Sequence, residues 1–181
     1  PGFAYQPALD GVRALAVVAV LLFHAGTPGF GGGYLGVSVF FTLSGYLITK
    51  LLLSEFDSSG RVDFGQFYGR RIRRLLPASL VVIVAVVALG SLTDEFEGVQ
   101  QLRSQVVGSL FQVTNWVLLA GDDSYRNLFG RAAGASSPLE HFWSLAIEEQ
   151  FYWIWPPVLA LILRRSGSNR SVKVRVLTIA A

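Results

Sequence analysis

The 181-residue sequence contains no cysteine and no methionine, only two histidines, and few charges. Each shortage excludes something. Without cysteine there is no disulfide, no thiolate metal site and no cysteine nucleophile. Two histidines, His24 and His141, give no basis for expecting a dedicated metal centre. Without methionine, Pro1 is not expected to be a natural start, and the apolar residues 176–181 are expected to open another helix. The chain is therefore expected to be a piece of a longer protein.

The shortage of charge decides the class. Charged residues make up 15% of the sequence and hydrophobic residues 52%, whereas soluble domains carry about 25% charged residues. A chain of this size has too little polar surface to stay in water, so an all-α, polytopic transmembrane bundle is expected, with the lipid bilayer as its first partner. The net charge of +3 matters less than its placement: Arg70, Arg71, Arg73 and Arg74 form one cluster, and Arg164, Arg165, Arg170, Lys173 and Arg175 another. Both abut apolar segments, which suits membrane-flanking charge and argues against nucleic acid as a partner.

A membrane helix needs about 20 mostly apolar residues. Residues 8–26, 35–54, 75–92 and 142–163 meet that requirement. A cleaved signal peptide fits the first segment badly, because further apolar segments follow at once. Residues 55–67 are polar and read as a loop, and Pro77 is expected in the first turns of the third helix, where its missing N–H costs little. Asp94, Glu95 and Glu97 form an acidic loop, and a polar loop is expected over residues 121–140. Residues 105–120 are apolar but short, and carry Gln105, Gln112 and Asn115. Positive charge favours the cytoplasm, so the arginine cluster and the N-terminus are expected inside and the acidic loop outside. A full crossing by residues 105–120 puts the second basic cluster outside, against that rule. A segment that dips in and returns is preferred, which sets His24 and His141 toward the outer side.

Two constellations can carry chemistry. Eleven positions separate Arg13 from His24, which at about 100° per residue is three turns plus roughly 20°, so both share one helix face about 16 Å apart. Asp10 lies one turn before Arg13. Ionisable groups inside a span suggest a site facing the bundle interior. The plainer readings are an arginine snorkelling to the surface and an interfacial histidine bonded to a carbonyl. In the last span, His141, Ser144, Glu148 and Tyr152 follow spacings of three, four and four, which line up as one stripe. Glu148 is expected to orient a histidine or carry a proton, with a structural network between helices as the alternative. Glu149, about 100° away, is the weaker candidate for that stripe. The four arginines suit either a polyanion, through their planar forks, or anionic headgroups. Gly31, Gly32, Gly33 and Gly36 are followed by no Lys-Ser/Thr pair, and fit a tight turn or close helix approach better than a phosphate loop.

Three blocks together resemble one family. They are LDGVRALA at 9–16 running on to His24; GVSVFFTLSGYLIT at 36–49, followed by FYGRRIRRLLPA at 67–78; and HFWSLAIEEQFY at 141–152, with Trp155 and Pro156 after it. In this order the chain resembles the acyltransferase 3 group of integral membrane acyltransferases, over nearly its whole length. The resemblance implies the first half of a bundle of about ten helices in a bacterial plasma membrane. It also implies transfer of an acyl group, usually acetyl, from coenzyme A to a hydroxyl of a sugar or cell-envelope molecule. His24 then looks catalytic, Arg13 is coupled to it, Glu148 supports either, and Arg70, Arg71, Arg73 and Arg74 look like a coenzyme A site. Two positions depart from the pattern: Ser38 stands where the family commonly has aspartate, and Phe142 where threonine is common. A transporter and a non-catalytic scaffold are the rival classes, and consumption of acetyl-coenzyme A discriminates between them and an acyltransferase.

Overall fold

The computed structural model describes residues 6–93, 102–120, 137–166, 176 and 178. Among these the chain is all-helical: α1 (Pro7–His24), α2 (Leu35–Ser59), α3 (Phe64–Leu92), α4 (Leu102–Leu110), α5 (Thr114–Ala120) and α6 (Phe142–Ser166). The acidic Asp94, Glu95 and Glu97, most of the 121–140 loop, the basic Arg170, Lys173 and Arg175, and most of residues 176–181 lie outside the described residues. The chain divides into two compact units, Pro1–Val62 with Ile154–Ala181, and Asp63–Trp153.

Three helices, α1, α2 and α3, are long and apolar enough to cross a membrane. With about 1.5 Å of rise per residue, the 18 residues of α1 reach about 27 Å, close to the hydrocarbon thickness of roughly 30 Å. Helix α6 has the length, 25 residues, but is not among the three. Glu148, Glu149 and Gln150 interrupt its apolar run, as expected of the helix at 142–163. Two expectations change. The polar stretch 55–67 is mostly helical: α2 runs on to Ser59, and α3 begins at Phe64. Gly60, at φ 70°, ends α2 in the left-handed conformation, and the Asp63 carboxylate caps α3 by accepting from the Gln66 N–H at 2.9 Å. Because α3 starts so early, Pro77 is an interior residue rather than a first-turn one.

In the first unit the core lies between α2 and the second half of α6. Leu52, Thr49, Pro156, Leu159 and Leu163 are fully buried. Buried Leu43, Ser44, Ile48, Thr49, Leu52 and Leu53 recur at helical spacing along α2, giving one inward stripe. Trp155 ties the two helices by donating its indole N–H to Thr49 Oγ1 at 2.7 Å, while the Thr49 hydroxyl donates to the Gly45 carbonyl. Helix α1 packs on α2 through small residues. A Cβ added at Gly36 meets the Ala16 carbonyl oxygen at 2.5 Å and Val20 Cγ2 at 2.8 Å, and one at Gly33 runs into the Ala19 carbonyl. The close-approach role expected of these glycines is what the structure uses. Most of the rest of α1 is exposed, including Leu15 and Leu21.

In the second unit α3 packs on α4, and α4 on α5. Residues 105–120 do not form one helix. The chain breaks at Gln112, φ 56°, into helices of 9 and 7 residues, each far short of a span. Gly108 lets the two halves meet: a Cβ there lies 2.8 Å from Val117 Cγ2 and 3.2 Å from Thr114 Cα. The segment is a helix–turn–helix and not the full crossing that the sequence disfavours.

The α1–α2 seam gives a direct check. Gly36→Val forces a branched side chain into the Ala16 carbonyl and is expected to cost about 1–3 kcal/mol. It should appear as a lower unfolding midpoint of the membrane-embedded protein, and an unchanged midpoint contradicts the seam.

Candidate active site

His24 occupies the last turn of α1. The helix ends just after it because Gly26 takes φ 66°. The Gly26 N–H donates to the Phe23 carbonyl and the Thr27 N–H to the Leu22 carbonyl, both at 3.0 Å, a Schellman closure that glycine alone makes without strain. The imidazole is exposed, and its Nδ1 lies 2.8 Å from the Val20 carbonyl oxygen. A carbonyl only accepts, so Nδ1 carries the proton, and in the neutral ring Nε2 carries the lone pair. The Phe23 ring meets the imidazole edge to face at 5.2 Å. Here the plainer expectation, a histidine bonded to a carbonyl, holds at Nδ1, and the same bond leaves a base at Nε2.

Arg13 sits on the same helix, half-buried, and its Nε is buried without a hydrogen bond. Arg13 and His24 flank the packed seam formed by Ala16, Ala19, Val20 and Phe23, roughly 70–90° around the helix from its centre. Asp10 is exposed in the first turn of α1, where its charge suits the helix dipole.

The polar stripe of α6 is only partly the one expected. Its first half, in the second unit, places Glu148 and Tyr152 together: the Tyr152 hydroxyl donates to Glu148 Oε1, and Tyr152 itself is buried. Ser144 turns back on its own helix, donating to the His141 carbonyl at 3.1 Å, and His141 is exposed. Glu149 is half-buried, its Oε1 buried without a hydrogen bond, within electrostatic reach of Arg71 and Glu148. His24 and Glu148 belong to different units.

The arginine cluster divides. Arg70, Arg73 and Arg74 are exposed, Arg70 donating to Gln66 Oε1. Arg71 turns inward, its guanidinium carbon 3.4 Å from the centre of the Tyr152 ring and 5.8 Å from that of Phe67. Position explains the split. Around α3, Arg71 falls inside the arc between Phe67 and Tyr68, and the other three fall outside it. That arc was legible in the spacing of Phe67, Tyr68 and Arg71.

Two contacts were not foreseen. Gln150 knits α6 to the α4–α5 turn. Its Nε2 donates to the Gln112 carbonyl at 3.0 Å and to Asn115 Oδ1 at 2.9 Å, and its Oε1 accepts from Asn115 Nδ2 and Trp116 Nε1, both at 3.3 Å. The signal was Asn115 and Gln150, two lone amides in apolar stretches, each needing a partner. The second contact repairs α6 itself. Pro157 has no N–H for the Trp153 carbonyl one turn back; the Tyr68 hydroxyl donates to that carbonyl instead, at 3.2 Å, and the Tyr68 and Trp153 rings stack at 5.6 Å.

Fold and site together define an integral membrane helix bundle with ionisable side chains on its long helices. Comparison with known proteins names the family: residues 6–180 match the acyltransferase domain of the acyltransferase 3 type, and the chain belongs to that family. The peptidoglycan O-acetyltransferase OatA of Listeria monocytogenes is 45% identical over 160 residues, 88% of this chain and 25% of that protein. The O-acetyltransferase OatA of Staphylococcus aureus strain NCTC 8325 is 41% identical over 161 residues, 89% of this chain and 26% of that protein. The chain thus spans about a quarter of the length of these relatives. No solved structure matches it.

The Tyr68 contact is testable by rescue. Tyr68→Phe keeps the stack but removes the donor to the Trp153 carbonyl, at an expected cost of about 1 kcal/mol in unfolding free energy. Adding Pro157→Ala restores a helical N–H to that carbonyl and should recover much of the loss. Equal destabilisation in the single and double variants contradicts the assignment.

Proposed function

We propose that this chain is the membrane part of a bacterial O-acetyltransferase, moving an acetyl group from acetyl-coenzyme A to a hydroxyl of a cell-wall glycan. The family supports acyl transfer, and the relatives' names point to peptidoglycan and to acetyl. The observation that carries the reading is the His24 ring, held by its Nδ1–H on the Val20 carbonyl, a bond that sets the tautomer with the lone pair on Nε2.

The chemistry balances around that atom. His24 Nε2 takes the proton of the acceptor hydroxyl as its oxygen attacks the thioester carbonyl. The tetrahedral adduct collapses, the C–S bond breaks, and the thiolate of coenzyme A leaves and takes up the proton from the imidazolium. A two-step variant uses the same nitrogen as nucleophile, forming an acetyl-imidazole that the hydroxyl then resolves. In both, the Nδ1–H bond to a carbonyl stabilises the ring as it becomes cationic. Arg13, on the same face of α1 but about 16 Å from His24 along the axis, adds a positive charge at long range and does not touch the reacting carbonyl. The donor's phosphates are matched by exposed arginines at the start of α3. In this reading the N-terminus and the arginine cluster are cytoplasmic, where the donor is made, and the protein lies in the plasma membrane.

The test is acetyl-coenzyme A turnover by the full-length protein with a glycan acceptor. His24→Ala is expected to insert normally and to lose about 10²-fold or more of the acceptor-dependent rate. An inserted variant with undiminished turnover overturns the role of His24. Acceptor movement across the membrane without donor consumption favours a transporter instead.

A further inference from the structure

The four arginines at the head of α3 look alike in sequence, yet only one is enclosed. Arg71 places its guanidinium carbon over the Tyr152 ring, 3.4 Å from the ring centre, with that of Phe67 at 5.8 Å. The Tyr152 hydroxyl donates to Glu148, and Glu149 lies within the field of Arg71. The four side chains therefore form one linked group: a cation over a ring, the ring hydroxyl on one carboxylate, and the next residue's carboxylate within electrostatic reach of the cation. Two carboxylates against one guanidinium leave this group net negative when all three are charged. A phosphate approaching Arg71 meets that negative charge and gives up the ring stacking. Arg71 Nε is itself buried without a hydrogen bond, so exposure is what separates Arg73 and Arg74 from it. Both are exposed, and among the described residues neither makes a hydrogen bond, so their planar forks are available to phosphate oxygens.

We propose that Arg71 is a positioning residue that acts through Tyr152, Glu148 and Glu149, and is set apart from Arg73 and Arg74, which hold the donor's phosphates in the reading above. The second half rests on the acyl-transfer reading above. Arg71 fixes the Tyr152 rotamer by stacking and neutralises Glu149 without contacting the donor. Its removal disorders the carboxylate pair of α6, whereas loss of Arg73 and Arg74 weakens donor binding alone.

The test uses purified full-length protein in lipid nanodiscs, with steady-state kinetics in acetyl-coenzyme A. Arg71→Gln is expected to lower kcat about tenfold or more while changing KM less than about threefold. The Arg73→Gln/Arg74→Gln double variant is expected to do the reverse, raising KM about tenfold with kcat near that of the unmodified protein. Arg71→Lys keeps the charge and loses the planar guanidinium over the ring, so its kcat should lie between those of the unmodified protein and Arg71→Gln. If Arg71→Gln raises KM with kcat intact, Arg71 is a donor contact and the proposal fails. A second readout needs no turnover: unfolding midpoints of Arg71→Gln, Glu149→Gln and the double variant. Non-additive shifts are expected, and strictly additive ones overturn the link between the two residues. Should the unmodified protein consume no acetyl-coenzyme A, the donor role of Arg73 and Arg74 falls with the acyl-transfer reading. The Arg71–Glu149 coupling is then still decided by the midpoints.

Discussion

A polar group inside an apolar protein has to find its partner within the chain, and α6 is built around that demand. In hydrocarbon an unsatisfied backbone or side-chain group costs several kcal/mol. Helix α6 carries Glu148, Glu149, Gln150, Tyr152, Trp153 and Trp155 in one stretch, followed by two prolines that withdraw backbone donors. Neighbouring elements answer four of these needs. Tyr68 supplies the donor that Pro157 lacks, the α4–α5 turn receives Gln150, Thr49 receives Trp155, and Arg71 lies within electrostatic reach of Glu149. The left-handed turn at Gln112 also follows from this demand, because it presents the Gln112 carbonyl to Gln150.

The other organising contact is steric. Glycines at 33 and 36 bring α2 against the backbone of α1, and that seam determines which face of α1 remains outward. Arg13 and His24 lie beside the seam rather than in it. The glycine that stops the helix leaves His24 in the last turn, where its Nδ1–H reaches a carbonyl of the same helix. Sequence, helix end and tautomer are thus linked: Gly26 fixes the end, the end fixes the position of the ring, and the carbonyl fixes the proton.

Much of this was legible in the residues. The apolar runs gave α1, α2 and the second half of α3, and the glycines gave the close approach. Composition misled where polar residues turned out to be helical. Residues 55–59 and 64–67 look like loop but extend helices beyond the apolar zone, as the caps at Gly60 and Asp63 allow. Glu148 met its helical neighbour Tyr152, as the spacing suggested. The pairing of Arg71 with Tyr152 and Glu149 joins residues nearly 80 positions apart, a relation that no helical wheel contains. Reading the arginines as one cluster followed charge alone, whereas the ring positions of Phe67 and Tyr68 decided which one turned inward.

The proposed acyl transfer rests, at the level of atoms, on a histidine that keeps its proton on Nδ1 and its lone pair on Nε2. The most direct measurement is nitrogen-15 NMR of selectively labelled histidine in the full-length protein in nanodiscs, with His24 assigned by substitution. The account predicts a neutral ring at alkaline pH whose proton resides on Nδ1, coupled to the Val20 carbonyl. A neutral ring protonated on Nε2 contradicts it, because the nitrogen assigned as the base then has no lone pair to offer.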